Sequence, residues 1–229
     1  MARINLSRYA LERLLERERQ VVTPGPVITL SREYGCPSKL IAALLTDLIN
    51  EKYARKKKWQ WISKEILEET ARKLGLMPRE IKHIFEYKER NILEDMLISQ
   101  EKKNYYHSDW SIRKTLGEVI RATAMEGRVV IVGRAGVALT RDIEASLHVR
   151  LMAPERWRAT QVARTHKISY EKACRLISEM DKNRKKFLEY YLKKKSDHTV
   201  FDVIFNCSTL SKETIARTVL EMARLRKLV

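Results

Sequence analysis

Five short runs rich in β-branched and apolar residues recur along the chain, and long segments with helical spacing separate them. The runs are "VITLS" at 27–31, "WQWI" at 59–62, "VVIVG" at 129–133, "LHVRLM" at 147–152 and "DVIFN" at 202–206. Three of them are almost continuously apolar, which is typical of parallel strands that are covered on both faces. The alternation predicts an α/β protein with a five-stranded parallel sheet flanked by helices.

The segments between the runs carry apolar residues at helical spacing and recognisable helix ends. Residues 38–54 show the i, i+3, i+4, i+7 pattern, and Pro78 suits the first turn of a helix over 78–101. Ser108 or Asp109 is a candidate N-cap for a helix that reaches about Met125 and ends near Gly127. The last helix is predicted to begin at Ser211, without the glutamate of a capping box. Residues 1–25 predict a separate amphipathic helix, and residues 26–229 a single domain.

Composition narrows the classes of protein that this chain represents. No apolar run approaches the roughly 20 residues that a membrane-spanning helix needs. Three cysteines without C-x-x-C spacing argue against a disulfide framework, and we expect a reduced, cytoplasmic protein. The 46 basic and 29 acidic residues give a net charge of +17. A field of that sign attracts anions, including nucleotides and nucleic acid, although solvated lysines on helix surfaces account for part of it. The sequence does not indicate the oligomeric state.

Ligands of open parallel sheets bind at the carboxyl ends of the strands. In this sequence those ends are the turn over 31–39, the triplet Ser63-Lys64-Glu65, the pair Gly133-Arg134 and the residues after 152. A functional site is therefore expected where these four segments meet.

The turn "SREYGCPSKL" at 31–40 lies between a predicted strand and a predicted helix, where a phosphate-binding loop would be found. Gly35 permits the turn, and Ser38-Lys39 stands at the start of the helix. Pro37 lacks an N–H donor, however, and the order Ser-Lys reverses the Lys-Ser of the strict phosphate-loop pattern. The residues alone leave two interpretations open, a phosphate cradle or an ordinary connection. Cys36 is either a thiol with a lowered pKa or a small loop residue.

Residues 154–195 form a strongly basic helical segment between the fourth and fifth predicted strands. Its arginines are forked donors suited to phosphate, and Asp181 is spaced i, i+3 from Arg184, so that it could orient that side chain. A helical hairpin with a solvated basic face is the alternative. Trp59, Trp61 and Trp110 either stack on a base or belong to the core, and no histidine spacing indicates a zinc site.

Taken in order, these segments resemble the cytidylate kinase-like family of P-loop nucleoside-monophosphate kinases. The resemblance covers about residues 26–222 and rests on five motifs. They are "VITLSREYGCPSKLIA", "VVIVGRAG", "LHVRLMAPERWR", "ISYEKACRLISEMDKNRKKFLEYY" and "FDVIFNCSTLSKETI".

The resemblance implies a P-loop NTPase or nucleotide kinase fold, with a helical acceptor-binding insertion over 63–107 and a basic helical lid over 154–195. It also implies ATP and Mg²⁺ as cofactors and a nucleoside monophosphate, CMP or dCMP first, as acceptor. By the same resemblance, Lys39, Arg158, Arg164 and Arg184 would act on the transferring phosphoryl group, with Asp181 bracing Arg184. The residues expected around the donor phosphates are Arg32, Gly35, Cys36, Pro37, Ser38 and Lys39, with the Ser38 hydroxyl as the one candidate metal ligand. The residues expected around the acceptor are Ser63, Lys64, Glu65, Gly133 and Arg134.

The sequence departs from the family pattern in the loop. Cys36-Pro37-Ser38 stands where Ser-Gly-Gly is usual, and no acidic residue ends "VVIVG". The alternative function is therefore a catalytically degenerate kinase fold that acts as a basic nucleic-acid-binding or regulatory module.

Overall fold

The computed structural model describes residues 24–53, 57–77 and 109–229. The helix predicted over 78–101 and nearly all of the one predicted over 1–25 lie outside these residues, and so does most of the expected acceptor-binding insertion. Five strands lie within them: β1 (Val27–Arg32), β2 (Gln60–Ile62), β3 (Val129–Val132), β4 (Ser146–Met152) and β5 (Val203–Asn206). Each of the five predicted runs forms a strand, with its ends shifted by about one residue.

The strands form one parallel sheet in the order β2-β3-β1-β4-β5. β1 is central, pairing Val27 with Val129 of β3 and with Ser146 of β4. The predicted α/β class with a five-stranded parallel sheet is confirmed.

Seven α-helices connect and cover these strands within the described residues. They are α1 (Ser38–Tyr53), α2 (Glu65–Leu74), α3 (Asp109–Glu126), α4 (Gly136–Thr140), α5 (Glu155–His166), α6 (Tyr170–Leu192) and α7 (Lys212–Leu225). The Ser211 hydroxyl accepts a hydrogen bond from the Thr214 amide at 3.0 Å, as expected for the N-cap of α7. None of the described helices has the length and apolar character needed to cross a membrane.

The alternation of side chains along the strands creates two cores. Ile28 and Leu30 of β1 face one side, where α1 and α7 cover them. Val27 faces the other side, which α2, α3, α4 and the end of α6 cover. Trp59 is buried in the first core and Trp61 packs against it, whereas Trp110 is exposed. The first two tryptophans are therefore core residues.

Because every strand runs in the same direction, all the strand carboxyl ends meet at one edge of the sheet. α5 and α6, which form the predicted lid segment, follow β4 at this edge. The residues that end β1, β2, β3 and β4 are thereby brought close to one another, as the sequence predicted.

Candidate active site

A cavity of about 830 Å³ opens at the carboxyl ends of the strands, beside α6. Residues of β1, β4, α2, α6 and the loops after β3 and α6 line it. The charged lining residues are Arg32, Glu33, Lys64, Arg134, Arg150, Asp181, Lys182, Arg184, Lys185, Asp197 and His198. Cations outnumber carboxylates in this list, so the cavity suits an anionic ligand.

Three guanidinium groups from three different elements converge on this cavity. Arg32 ends β1, Arg134 follows β3, and Arg184 lies on α6. Burial, followed by the nearby charges of Arg184 and Arg134, lowers the pKa of Arg32 to about 9. Burial and the charge of Arg184 lower the pKa of Arg134 to about 10, and burial also lowers the pKa of Arg184. All three remain protonated at neutral pH, so their repulsion favours binding of an anion between them.

The turn after β3 holds Arg134 in position through an unusual backbone. Gly133, Arg134 and Ala135 have φ angles of 75°, 55° and 53°, and left-handed conformations are unfavourable for residues with a Cβ. The Arg134 Nε donates to the Ser63 carbonyl at 3.4 Å. A Cβ on Gly133 would lie 1.6 Å from Arg32 Nη1, so this glycine provides the space in which the Arg32 side chain lies.

Asp181 connects the lid helix α6 to the loop after β1. Its Oδ1 accepts a hydrogen bond from the Tyr34 amide at 2.7 Å, and its Oδ2 accepts one from Arg158 Nη1 at 2.7 Å. The distance from Arg184 Nη1 to Asp181 Oδ1 is 3.9 Å. Asp181 therefore lies closer to Arg158 than to Arg184, the residue that it was expected to brace.

Arg158 is almost completely buried, at 6% exposure, and its guanidinium contacts the protein itself. Its Nε donates to the Ala153 carbonyl at 2.9 Å and lies 3.3 Å from Glu33 Oε2, and its Nη1 donates to the Tyr34 carbonyl at 3.0 Å. These contacts tie α5 to the loop. Its predicted contact with the transferring phosphoryl group stays a prediction, and in this conformation Arg158 is a structural link.

The loop itself is closed against α5. Besides the Tyr34 amide, which Asp181 occupies, the Cys36 amide donates to the Glu33 carbonyl and the Ser38 amide to the Cys36 carbonyl. A Cβ on Gly35 would lie 3.0 Å from Arg158 Cβ. In this conformation the amides of Tyr34, Cys36 and Ser38 are all paired within the protein.

The remaining predicted residues lie in several places. Lys64 lines the cavity, Ser63 is buried at the end of β2, and the Glu65 carboxylate accepts a hydrogen bond from the Ser63 amide at 2.7 Å. Lys39 and Arg164 are exposed and are not among the residues that line the cavity. Pro37 is half-buried, and Ser38 is buried where α1 begins.

The sequence left two interpretations of Cys36 open, a thiol with a lowered pKa or a small loop residue. A hydrogen bond with the Cys207 thiol, together with burial, raises the pKa of the Cys36 thiol. The side chain packs in the core beside this second thiol. The structure therefore favours the second interpretation.

Arg150 is a cavity residue that the sequence analysis did not single out. It lies on β4 between Val149 and Leu151, which are fully buried on the opposite face of the sheet. The sequence did contain an indication, because Arg150 is a charged residue within the predicted strand "LHVRLM". The histidine two residues earlier made the run look like an ordinary alternation of apolar and polar residues, so Arg150 was not singled out.

Metal ligation has limited support among side chains. No group of three or more His, Cys, Asp or Glu residues that could hold a metal ion occurs in the described part of the chain. Mg²⁺ commonly takes only one or two carboxylates and completes its shell with substrate phosphates and water. The carboxylates in the cavity lining are Glu33, Asp181 and Asp197.

Comparison with known proteins assigns the chain to a family. The model of the cytidylate kinase-like family matches residues 27–209, which include all five strands and both lid helices. The chain belongs to the cytidylate kinase-like family. The resemblance seen in the sequence is confirmed, and the five-stranded parallel sheet flanked by helices agrees with the fold that it implied.

Members of this family and solved structures show the extent of the similarity. A cytidylate kinase of Pyrococcus horikoshii is 39% identical over 93 residues, which are 40% of this chain and 47% of that protein. The match thus spans about half the length of that relative. A cytidylate kinase of Sulfurisphaera tokodaii is 29% identical over 139 residues, 60% of this chain and 75% of that protein. The crystal structure of an uncharacterized protein from Eubacterium ventriosum shares the fold, with a TM-score of 0.62 and 18% identity over 87% of this chain and 98% of that one.

Proposed function

We propose that this cytidylate kinase-like protein transfers a phosphoryl group from ATP to a nucleoside monophosphate, with CMP or dCMP as the favoured acceptor. The observation that carries the proposal is the convergence of Arg32, Arg134 and Arg184 on one cavity at the strand carboxyl ends. Phosphoryl transfer requires mainly positioning and neutralisation of charge, and forked cationic donors supply both. The named relatives are cytidylate kinases, which supports CMP or dCMP.

In this proposal each part of the cavity has a role. Arg134 and Arg32, with Ser63, Lys64 and Glu65 nearby, would bind the acceptor phosphate. Arg184 would neutralise charge on the phosphoryl group as it moves. Mg²⁺ would enter with the nucleotide and draw protein ligands from the cavity carboxylates or the Ser38 hydroxyl. Donor binding would require the loop after β1 to separate from Asp181 and α5.

A coupled kinase assay with ATP, Mg²⁺ and a panel of nucleoside monophosphates tests the proposal. We expect turnover to be highest with CMP or dCMP, and Arg134→Met to lower kcat/KM about tenfold or more because a charge-assisted contact is lost. Arg224→Met is the control: it removes the same charge from an exposed ion pair with Glu221 on α7.

Binding provides a second criterion. A nucleotide present at about 100 times its Kd should stabilise the protein by about 2.7 kcal/mol, measured as a rise in Tm. Absence of turnover and of any Tm shift, together with nucleic-acid binding that weakens steeply with salt, would replace the kinase by the basic module. The three free cysteines agree with the cytoplasmic location that accompanies the proposal.

A further inference from the structure

Arg150 lines the cavity and is incompletely paired within the protein. Its Nε is shielded from solvent and has no hydrogen-bond partner. Within the described residues, the carboxylate contact of its guanidinium is a 3.9 Å approach of Nη2 to Glu33 Oε1. An arginine carries five N–H donors, and a buried donor without a partner costs free energy that a bound acceptor would recover.

Glu33 is a distant ion-pair partner of Arg150, because its carboxylate is also engaged elsewhere. Glu33 Oε2 accepts a hydrogen bond from the Ala153 amide at 3.2 Å and lies 3.3 Å from Arg158 Nε. At 3.9 Å the other oxygen is beyond hydrogen-bond distance of Arg150. Two arginines thus share one carboxylate, and Arg158 has the closer contact.

The Arg150 side chain is held so that it faces the cavity. Its guanidinium lies 5.1 Å from the centre of the Phe201 ring, a cation–π distance that supports one face of the group. A quarter of the side chain remains exposed, and Arg150 lines the cavity together with Ser196 and His198 of the α6–β5 connection. The guanidinium is therefore ordered and accessible to a ligand in the cavity.

Arg150 and Arg134 lie on opposite sides of β1. Arg150 is on β4, beside Ser31 of β1, whereas Arg134 follows β3. Adjacent strands lie about 4.8 Å apart, so the backbones of the two strands that provide these arginines are about 10 Å apart. A nucleotide with two anionic groups suits a pair of cations placed in this way.

We infer that Arg150 forms a second anion subsite, which selects acceptors that carry a phosphate or carboxylate in addition to the phosphate held by Arg134. The inference rests on the proposed function, since it specifies the class of acceptor for the same cavity. A charge-assisted contact between an oxyanion and the exposed part of the guanidinium would supply the close anionic partner that Arg150 lacks within the protein.

Isothermal titration calorimetry with matched acceptors tests the subsite. Three probes are compared. CMP has no second anion, cytidine 3′,5′-bisphosphate has a second phosphate, and orotidine 5′-monophosphate has a ring carboxylate. We expect the wild-type protein to bind one of the two doubly anionic probes about tenfold more tightly than CMP. The preferred probe identifies whether phosphate or carboxylate is recognised.

Variants at position 150 separate recognition from folding. The quantity compared is the affinity for the preferred doubly anionic probe divided by the affinity for CMP. Arg150→Met is expected to lower this ratio about tenfold. Arg150→Lys should keep part of it, because a point charge replaces the forked guanidinium group. Arg224→Met, which removes an equal charge from the exposed surface of α7, should leave the ratio as in the wild type. Because both affinities are measured on the same variant, a general loss of stability affects them equally and leaves their ratio unchanged. Arg150→Lys provides the second variant if Arg150→Met does not fold.

Each outcome of these titrations supports or overturns the subsite at Arg150. A wild-type ratio below about threefold, or a ratio that Arg150→Met leaves unchanged, overturns the subsite. Absence of phosphoryl transfer to every probe, with a ratio that still falls in Arg150→Met, overturns the proposed function and retains the subsite. Absence of binding by all three probes overturns both.

Discussion

At the scale of single residues, the cavity is a place where like charges are held together. Because the pKa of Arg32 is lowered to about 9 in the folded protein, the unfolded chain binds more protons between that pH and the ordinary value of 12.5. Stability therefore rises with pH in this window, and at neutral pH the full cost of burying this charge beside two others is present. A bound anion would remove that cost, so stability and ligand binding oppose each other at these positions.

Gly133→Ala tests how the arginine cluster is assembled. The new Cβ would lie 1.6 Å from Arg32 Nη1, and φ at this position is 75°. We expect displacement of Arg32, about tenfold weaker binding of pyrophosphate, and a loss of about 1–2 kcal/mol of stability from the left-handed backbone. Calorimetric titration and urea unfolding measure the two effects.

Two controls accompany this variant. Gly117→Ala makes the same substitution within α3, where the added Cβ would have ordinary contacts at 3.4 Å and beyond, and should leave pyrophosphate binding unchanged. In an Arg32→Met background, Gly133→Ala should produce no additional loss of affinity. Equal affinities of Gly133→Ala and the wild type would show that Arg32 does not depend on this glycine.

The sequence was informative about residues at strand ends and less so about those within elements. Arg32, Arg134 and Arg184 were all expected at one site, because the end of a parallel strand and a basic lid define positions in space. The surroundings of Arg158 could not be foreseen, since they depend on how the backbone of α5 packs against Gly35. Spacing along the chain gives no information on such a contact between distant segments.

At the scale of elements, α5 and the middle of α6 are attached to the loop after β1 through charged side chains, whereas the end of α6 packs in the second core. Arg158, Asp181 and Glu33 connect α5, α6 and the loop after β1. Four apolar residues form the small core between α5 and α6: Ala159, Val162, Ala173 and Ile177. The position of the lid helices therefore depends on this charge network.

Arg158→Met should destabilise the protein by about 3 kcal/mol. Removal of the buried arginine leaves Asp181 and Glu33 with only the 3.9 Å ion-pair contacts to Arg184 and Arg150, and packing by methionine does not replace the lost hydrogen bonds. Arg164→Met on the same helix, where the arginine is exposed, should change stability by less than about 0.5 kcal/mol. Free energies of unfolding from urea titrations compare the two. Similar values would mean that the network does not hold α5 in place.

The elements themselves followed from periodicity, whereas their order in the sheet did not. Runs such as "VVIVG" identify buried strands because both faces must be apolar, and Ser211 identifies a helix start because its hydroxyl caps an amide. That β1 lies between β3 and β4 is determined by the packing of all the connecting helices. No local sequence pattern indicates this order of strands.

At the scale of the whole molecule, a buried histidine joins the central strands to the C-terminal helix. His148 of β4 contacts Thr29 of β1, with 2.9 Å between Nδ1 and Oγ1, and Ser146, with 3.2 Å between Nε2 and Oγ. Its amide donates to Asp202, which also pairs with Arg226 after α7. Burial lowers the pKa of His148; Asp202 opposes this shift, and Arg226 and Arg141 add to it.

Acid should therefore destabilise the wild type through His148. With the pKa lower in the folded state, the unfolded chain binds the proton first, so this contribution to stability is present above about pH 6.5 and is lost as the pH falls below it. Urea unfolding of wild type and His148→Asn at pH 7.5 and 5.5 measures the effect. We expect a smaller loss on acidification in the variant. Thr29→Val, which keeps the imidazole, should keep the acid sensitivity, and an equal loss in wild type and His148→Asn would contradict the assignment.

The central position of β1 has a consequence for the order of events during synthesis. Of the five described strands, β1 is the first to be synthesised, yet its neighbours begin at Val129 and Ser146. Until both neighbouring strands have been synthesised, this very apolar segment has no strand to pair with. The segment "VITL" is then exposed to chaperones and to other chains. The middle strand of the sheet is thus translated well before either strand with which it pairs.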